Sequence, residues 1–222
     1  MAKYGQPIVL ISSAYLLICA LGYLGFATTE SNLVGWFLLL TALSYGVGGP
    51  FLLINNLKNK GVVRQENRDR SFWLMLPGFL VVFYASPLEY LYLPGILITT
   101  RTMWMQIVGL ALIVASLSLF AWARWALKGM YSGRIWVKAG HNLIQHGPYR
   151  FLRHPAYASF IILCLGIAVG FSSLIGLFAV PLLLIPGFIY RINVEEKILI
   201  AQFGDKYVQY TKSTPRLFPH IW

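Results

Sequence analysis

The chain has 222 residues, of which 58% are hydrophobic and only 11% are charged, and its formal net charge is +11. A soluble domain needs far more charged surface, so this composition excludes a soluble globular protein and predicts an integral membrane protein of about one domain. The long apolar runs argue against nucleic acid as a partner. The basic excess instead indicates loops that lie at the anionic cytoplasmic face of a membrane, with membrane lipids as partners.

Apolar runs predict an all-α fold with about six transmembrane helices, because a spanning helix needs about 20 mostly apolar residues. The predicted spans are residues 8–27, 33–54, 72–92, 103–126, 157–170 and 174–190. The last two are predicted to form a helical hairpin inside the membrane. This pattern divides the chain into three N-terminal spans, residues 1–102, and a C-terminal core, residues 103–222, with a polar pocket on the cytosolic side.

The end of the chain is predicted to lie outside the membrane. A mixed helix is expected over residues 192–210 and a coil over residues 211–222. Cys19 and Cys164 both fall inside apolar runs, so they are interpreted as small core residues and not as a disulfide framework.

The positive charges predict the orientation of the spans. If the N-terminus is cytoplasmic, six spans leave only Arg101 outside among the 18 Lys and Arg residues. Such asymmetry is typical of multi-pass proteins whose basic loops stay in the cytosol. The sequence therefore predicts that both termini, the loops at residues 55–70 and 127–155, and the polar residues of the C-terminal half face the cytoplasm.

A polar stretch interrupts the apolar pattern between residues 140 and 159. It contains three of the four histidines and two arginines, namely His141, His146, His154, Arg150 and Arg153. Pro155 suits the first turn of a helix, whereas the residue before a proline is biased away from helical geometry. We therefore expect a helix to begin near Pro155, with its free N–H groups beside Arg150, Arg153 and His154 as an anion-binding arrangement.

A second polar group follows at the end of the last apolar run. Arg191 and Glu195 are four residues apart and share a helix face, whereas Glu196 points about 100° away from Glu195. One carboxylate can therefore hold a cation while the other pairs with arginine.

The residues alone leave simpler interpretations open. Arg150 and Arg153 fit an anchor at lipid phosphates, and Arg191 with Glu195 fits a simple helix salt bridge. His141 and His146 fit ordinary loop positions, and a metal site is not predicted because no H-x-x-x-H pattern or cysteine partner is present. A membrane protein with a cytosol-facing polar pocket fits an enzyme, a transporter or a receptor.

Several motifs together resemble the isoprenylcysteine carboxyl methyltransferase family and the related phospholipid methyltransferases. They are Gly147-Pro148-Tyr149-Arg150, Arg153-His154-Pro155-x-Tyr157, Glu195-Glu196 after an apolar hairpin, the tail Phe203-Gly204-Asp205-x-Tyr207-x-x-Tyr210 and the ending Thr214-Pro215-Arg216-Leu217-Phe218-Pro219. The resemblance covers about residues 122–219. The family pattern often has glycine two positions after the tyrosine, where this chain has Ser159. This departure affects the close helix packing expected at that position and not the implied cofactor site.

This resemblance implies an integral membrane enzyme that transfers a methyl group from S-adenosylmethionine to a lipophilic acceptor entering from the bilayer. It implies that His141 and Leu143 flank the adenosine and that Tyr149, His154 and Tyr157 line the methionine end. The helix dipole at Pro155 would suit the cofactor carboxylate. Arg153, Glu195 and Glu196 complete the implied cofactor site. Arg191, which orients the acceptor, and Glu196 are the implied catalytic residues.

The sequence leaves three classes of methyl acceptor: an isoprenylcysteine-like carboxylate, a phospholipid amine or a thiol. A carboxylate is already ionised at neutral pH, whereas a thiol or an amine must lose a proton to a neighbouring Glu or His. Two other functions also remain. One is a sterol-reductase-like oxidoreductase that uses NADPH, although such proteins are longer and have more spans. The other is a transporter or binding protein that retains the fold without the chemistry.

Overall fold

The computed structural model of the protein describes residues 71–93, 102–127 and 143–218, all within one compact unit, Gln65–Trp222. The described residues form helices and loops without any strand. Several predictions lie outside the described residues: the spans at 8–27 and 33–54, the loop at 55–70, Cys19, Arg101 and His141.

Five helices and one short turn make up the described part. Helix α1 spans residues 71–92, α2 spans Met103–Ala126, a 3₁₀ turn spans Gly147–Arg150, α3 spans Pro155–Gly170, α4 spans Leu174–Phe203 and α5 spans Asp205–Ser213. By length and composition, α2 and α4 can each cross a membrane, whereas the apolar stretches Leu74–Tyr90 and Pro155–Gly170 are shorter. The division of the chain at residue 102 stays a prediction.

The boundaries of α4 differ from the sequence prediction. The hairpin arm expected to end at residue 190 continues without interruption to Phe203, so Arg191, Glu195 and Glu196 belong to the same helix as the membrane-crossing segment. The mixed helix expected over residues 192–210 is divided at Gly204, whose φ of 54° lies in the left-handed region that favours glycine. Helix α5 then continues to Ser213, inside the segment predicted as coil.

Two wide helical turns accommodate Pro87 in α1 and Pro186 in α4. A π-helical segment, Val81–Ala85, comes just before Pro87, and another, Val180–Leu184, comes just before Pro186. Proline lacks an N–H group, and its ring clashes with the carbonyl four residues earlier. In both helices that carbonyl lies within the π segment, whose wider turn accommodates the ring.

Small residues bring α2 and α3 into close contact. A Cβ atom added at Gly109 would lie 2.5 Å from the Cα atom of Gly170, so the two helix backbones touch there. Further along, the Ser116 hydroxyl donates to the Ser159 carbonyl at 2.7 Å. The buried Ser159 hydroxyl donates to the Ala156 carbonyl at 2.7 Å. Ser159 therefore fits the tight interface with its hydroxyl satisfied.

A buried carboxylate joins α1 to the start of α4. Glu89, whose residue is 5% exposed, accepts a hydrogen bond from the Ser173 hydroxyl at 2.5 Å. It also accepts from the backbone N–H groups of Leu174, at 3.2 Å, and Ile175, at 3.3 Å. A negative charge at a helix N-terminus is stabilised by the unpaired N–H groups and the helix dipole. Glu89 thus fixes the hairpin end that lies roughly 30 Å along α4 from Glu196.

We predict that Glu89→Ala lowers the free energy of unfolding by about 1.5–3 kcal/mol, because hydrogen bonds to a charged buried group are lost. Thermal unfolding of the detergent-solubilised protein measures this. Asp205→Ala is the matched control, since it removes an exposed carboxylate from the first turn of α5. It should lower the melting temperature less, and equal small losses in the two variants would contradict the role assigned to Glu89.

Candidate active site

The two polar groups singled out in the sequence meet in one cluster. It lies where the start of α3, the C-terminal part of α4, helix α5 and the C-terminal segment converge. We call it the polar cluster, and its members are Arg153, His154, Tyr157, Arg191, Glu195, Glu196, Tyr207 and Arg216.

The backbone around His154 sets the position of the motif. His154 has φ −126° and ψ 60°, outside the helical region as the following proline predicts, and α3 begins at Pro155. The N–H groups of Arg153 and His154 donate to the carbonyls of Pro215, at 2.8 Å, and Arg216, at 3.0 Å. These two bonds bring the C-terminal segment against the motif, although the two stretches are far apart in the sequence.

The expected anion site at the start of α3 is only partly available. The N–H groups of Tyr157 and Ala158 both donate to the His154 carbonyl at 3.1 Å. They are therefore used within the first turn and are not free to bind an anion. Pro155 itself is fully buried beneath this turn. Its assignment to a cofactor carboxylate through the helix dipole stays a prediction.

Glu196 is the centre of the polar cluster. Its Oε1 atom contacts Arg153 Nη1 at 2.5 Å, His154 Nε2 at 3.3 Å and the Tyr207 hydroxyl at 3.5 Å. Its Oε2 atom accepts from Arg216 Nε at 2.9 Å and Nη2 at 2.7 Å. The Glu196 side chain is only 7% exposed. Burying a carboxylate is costly unless opposite charges and hydrogen bonds compensate, and here two guanidinium groups do so.

Glu195 lies on the more open side of the polar cluster, with 28% of its side chain exposed. Its Oε2 atom accepts a hydrogen bond from the Tyr157 hydroxyl at 2.7 Å and lies 3.8 Å from His154 Nδ1. The same Tyr157 oxygen accepts from Arg191 Nε at 2.8 Å. Tyr157 therefore joins Arg191 to Glu195, and the ring of His154 lies between the two glutamates.

Aromatic rings extend from the polar cluster into the apolar part of the helices. The His154 ring stacks on Tyr157, with centroids 5.6 Å apart and planes 16° apart. Tyr157 contacts Phe188 at 5.6 Å, and Phe188 contacts Phe79 at 6.1 Å and Phe160 at 6.5 Å. The apolar core of the helices therefore begins directly beside the hydrogen-bonded side chains.

Two tyrosines of α5 complete the polar cluster and its support. Burial, and then the charge of Glu196, raise the pKa of the Tyr207 hydroxyl, so it stays protonated and can donate to Glu196. Burial also raises the pKa of Tyr210, whose hydroxyl donates to the Tyr149 carbonyl at 2.5 Å. Helix α5 therefore fixes the turn that precedes the motif.

The structure groups most of the predicted site residues but not all of them. It brings together Arg153, His154, Tyr157, Arg191, Glu195 and Glu196, whereas Tyr149 is linked through its carbonyl and Leu143 is half-buried in the preceding segment. His146, which matches no motif position, is exposed. Sequence reasoning missed Arg216 and Tyr207 as members. Both lie in the C-terminal motifs that carried the resemblance, and this location is the sequence signal that could have identified them.

Comparisons with known proteins agree with the motifs. Residues 104–206 match the family model described as phospholipid methyltransferase. The protein-S-isoprenylcysteine O-methyltransferase of Schizosaccharomyces pombe is 37% identical over 81 residues, which cover 36% of this chain and 34% of the relative. A probable protein-S-isoprenylcysteine O-methyltransferase of Oryza sativa subsp. indica is 36% identical over 88 residues, covering 40% of this chain and 46% of the relative.

A solved structure resembles the fold as well. The eukaryotic intramembrane Ras methyltransferase ICMT superposes with a TM-score of 0.67 at 20% sequence identity, covering 100% of this chain and 79% of that one. The resemblance indicated by the motifs is thus confirmed, and the fold resembles that of a membrane enzyme. The matched segments span less than half the length of the two curated relatives.

Proposed function

We propose that the protein is an integral membrane methyltransferase that transfers the methyl group of S-adenosylmethionine to a lipophilic acceptor. The observation that carries this proposal is the polar cluster, in which Arg153, His154 and Tyr157 meet Glu195 and Glu196 through direct contacts. The cluster lies within and directly beside the segment that matches methyltransferases.

The side chains of the polar cluster fit the chemistry of this cofactor, which supplies an electrophilic methyl group on a sulfonium cation. Glu195 is the accessible carboxylate and suits the cationic groups, because both oxygens of Glu196 already accept hydrogen bonds from the protein. Arg153 suits a carboxylate: its buried Nε atom has no hydrogen-bond partner among the described residues. The ring of Tyr157 lies between His154 and Phe188, on the side of the polar cluster that faces the apolar part of the helices.

Positioning explains how such a site would accelerate methyl transfer. The nucleophile must approach the methyl carbon in line with the bond that breaks, so alignment and exclusion of water supply most of the rate enhancement. Arg191 is only 9% exposed, bonds to Tyr157 and belongs to the rigid helix α4. It is therefore well placed to orient the polar head of an acceptor whose apolar tail lies in the bilayer.

Charge favours a carboxylate acceptor over an amine. The polar cluster contains the guanidinium groups of Arg153, Arg191 and Arg216 against the carboxylates of Glu195 and Glu196, an excess of one positive charge when His154 is neutral. An anionic head group compensates this excess, whereas an ammonium group adds to it. A carboxylate is also already ionised and needs no general base. A lipid-linked carboxylate is therefore the proposed acceptor, with phospholipid amines and thiols less favoured.

The proposed topology has six membrane spans, with both termini and the active site on the cytoplasmic side. Its support is the distribution of Lys and Arg along the chain together with the two spanning-length helices α2 and α4. This orientation gives the site access to a water-soluble cofactor from the cytosol and to a lipophilic acceptor from the bilayer.

Cysteine labelling from outside the membrane tests this topology on a variant without Cys19 and Cys164. An impermeant thiol reagent should label cysteines introduced near Glu30 and Arg101, and it should not label cysteines near Arg64 or Asp205. External labelling near Asp205 would contradict the proposed topology, because it would move the polar cluster away from the cytosol.

For cofactor binding, we predict that His154→Ala weakens the affinity for S-adenosylhomocysteine by about tenfold or more. The reason is the loss of a buried ring that contacts Glu196 and Glu195, comparable to one charge-assisted hydrogen bond. Calorimetric titration in detergent measures the dissociation constant. His146→Ala is the matched control, since His146 is exposed and outside the motif. Equal losses in the two variants would show that the site is assigned wrongly.

For turnover, we predict that Arg191→Ala keeps its affinity for S-adenosylhomocysteine and its melting temperature within a few degrees. Its turnover should nevertheless fall by about a hundredfold, because the acceptor is no longer oriented. Arg191→Lys should restore only part of the rate, since lysine lacks the planar fork that holds a carboxylate with two bonds.

The turnover assay follows labelled methyl transfer to prenylated cysteine analogues, with phosphatidylethanolamine and a long-chain thiol in parallel. Normal turnover by Arg191→Ala would mean that Arg191 serves only as a helix salt bridge and that another group orients the acceptor. Preferred methylation of phosphatidylethanolamine would contradict the charge argument for a carboxylate acceptor.

A further inference from the structure

Arg216 of the C-terminal segment contacts the Arg153-His154-Pro155 motif in two ways, directly through its backbone and indirectly through its side chain. The backbone carbonyl of Arg216 accepts from the His154 N–H at 3.0 Å. The guanidinium of Arg216 donates from both Nε and Nη2 to Oε2 of Glu196, whose other oxygen contacts His154 Nε2. Arg216 therefore contacts the backbone of His154 directly and the ring of His154 indirectly, through Glu196.

We infer that Arg216 is a positioning residue of the cofactor site, which acts through Glu196 on the ring of His154. The inference goes beyond the proposed function in assigning a task to the C-terminal segment. It rests on the proposed function for the cofactor site, whereas the action of Arg216 on His154 is tested without a ligand.

The division of hydrogen bonds on Glu196 supports the inference. Arg216 donates two hydrogen bonds to Oε2, whereas Oε1 contacts Arg153, His154 and Tyr207. A carboxylate held firmly at one oxygen has a fixed rotation, so the other oxygen has a fixed direction. If Arg216 is removed, Glu196 can rotate toward Arg153, its remaining guanidinium partner, and its contact with His154 at 3.3 Å changes.

The position of His154 matters because its ring separates the two glutamates. Nε2 faces Glu196, Nδ1 lies 3.8 Å from the accessible Glu195, and the ring stacks on Tyr157. A rotation of Glu196 therefore alters the surface against which the cofactor is proposed to bind, without any direct contact between Arg216 and the cofactor. The His154 side chain is 4% exposed, so protein contacts and not solvent set its orientation.

A simple tether is the competing explanation, in which Arg216 only fastens the C-terminus and affects stability alone. The two explanations differ in what happens to the His154 ring in a folded variant. They also differ in whether substitutions at Arg216 and Glu196 have independent effects on binding, since residues that act through one group are not additive.

The first test needs no ligand. In the full chain labelled at histidine ring carbons, the His154 resonance, assigned by its loss in His154→Gln, should move in Arg216→Gln at a temperature where the variant is folded. Lys212→Gln, which removes an exposed cation from α5, is the matched control and should leave it unchanged. If Arg216→Gln does not fold, Arg216→Lys serves instead, because it keeps the charge but loses the fork. An unchanged His154 resonance in the folded variant would overturn the inference.

The second test measures S-adenosylhomocysteine binding. Arg216→Gln should weaken the affinity by about tenfold, and Lys212→Gln should not. The double variant Arg216→Gln/Glu196→Gln should bind as weakly as Glu196→Gln alone, within about twofold, because both act through the same carboxylate. Losses that multiply would contradict action through Glu196. If the unmodified chain binds no S-adenosylhomocysteine, the proposed function fails, and the His154 resonance still decides the role of Arg216.

Discussion

The buried carboxylate of Glu196 is the interaction on which the rest of the site depends. Two arginines from distant parts of the chain, Arg153 and Arg216, neutralise it, and His154 and Tyr207 complete its contacts. Such a group is stable only while its partners stay in place, because an unpaired buried charge costs several kcal/mol. The carboxylate thereby joins helix α4, the start of α3 and the C-terminal segment in one arrangement. Glu195, one residue earlier, is left on the open side.

Much of the site could be predicted from short-range rules. The proline at 155 predicted both the start of α3 and the non-helical backbone of His154, because these effects act on adjacent residues. The spacing of Arg191 and Glu195 predicted a shared face, and Tyr157 links the two side chains. The role of Arg216 could not be predicted this way. Its contact with Glu196 arises because the chain turns at Gly204 and the C-terminal segment then packs beside the motif, which no local pattern specifies.

The fold was predictable to a similar extent. Apolar runs located α1, α2 and the hairpin of α3 and α4, because helix length in a membrane follows from hydrophobicity. The end of α4 was predicted wrongly at residue 190, since polar residues there indicate the membrane boundary but do not break a helix. Gly204 does break it. The π-helical segments before Pro87 and Pro186 depend on how the surrounding helices accommodate the rings, so they escaped prediction.

The central claim is that the polar cluster binds a methyl donor. Calorimetric titration of the detergent-purified chain with S-adenosylhomocysteine and, separately, with NADPH tests it most directly. We expect saturable binding of S-adenosylhomocysteine at about one molecule per chain and no measurable heat of binding with NADPH. Saturable binding of NADPH without binding of S-adenosylhomocysteine would contradict the methyltransferase assignment and favour a sterol-reductase-like oxidoreductase.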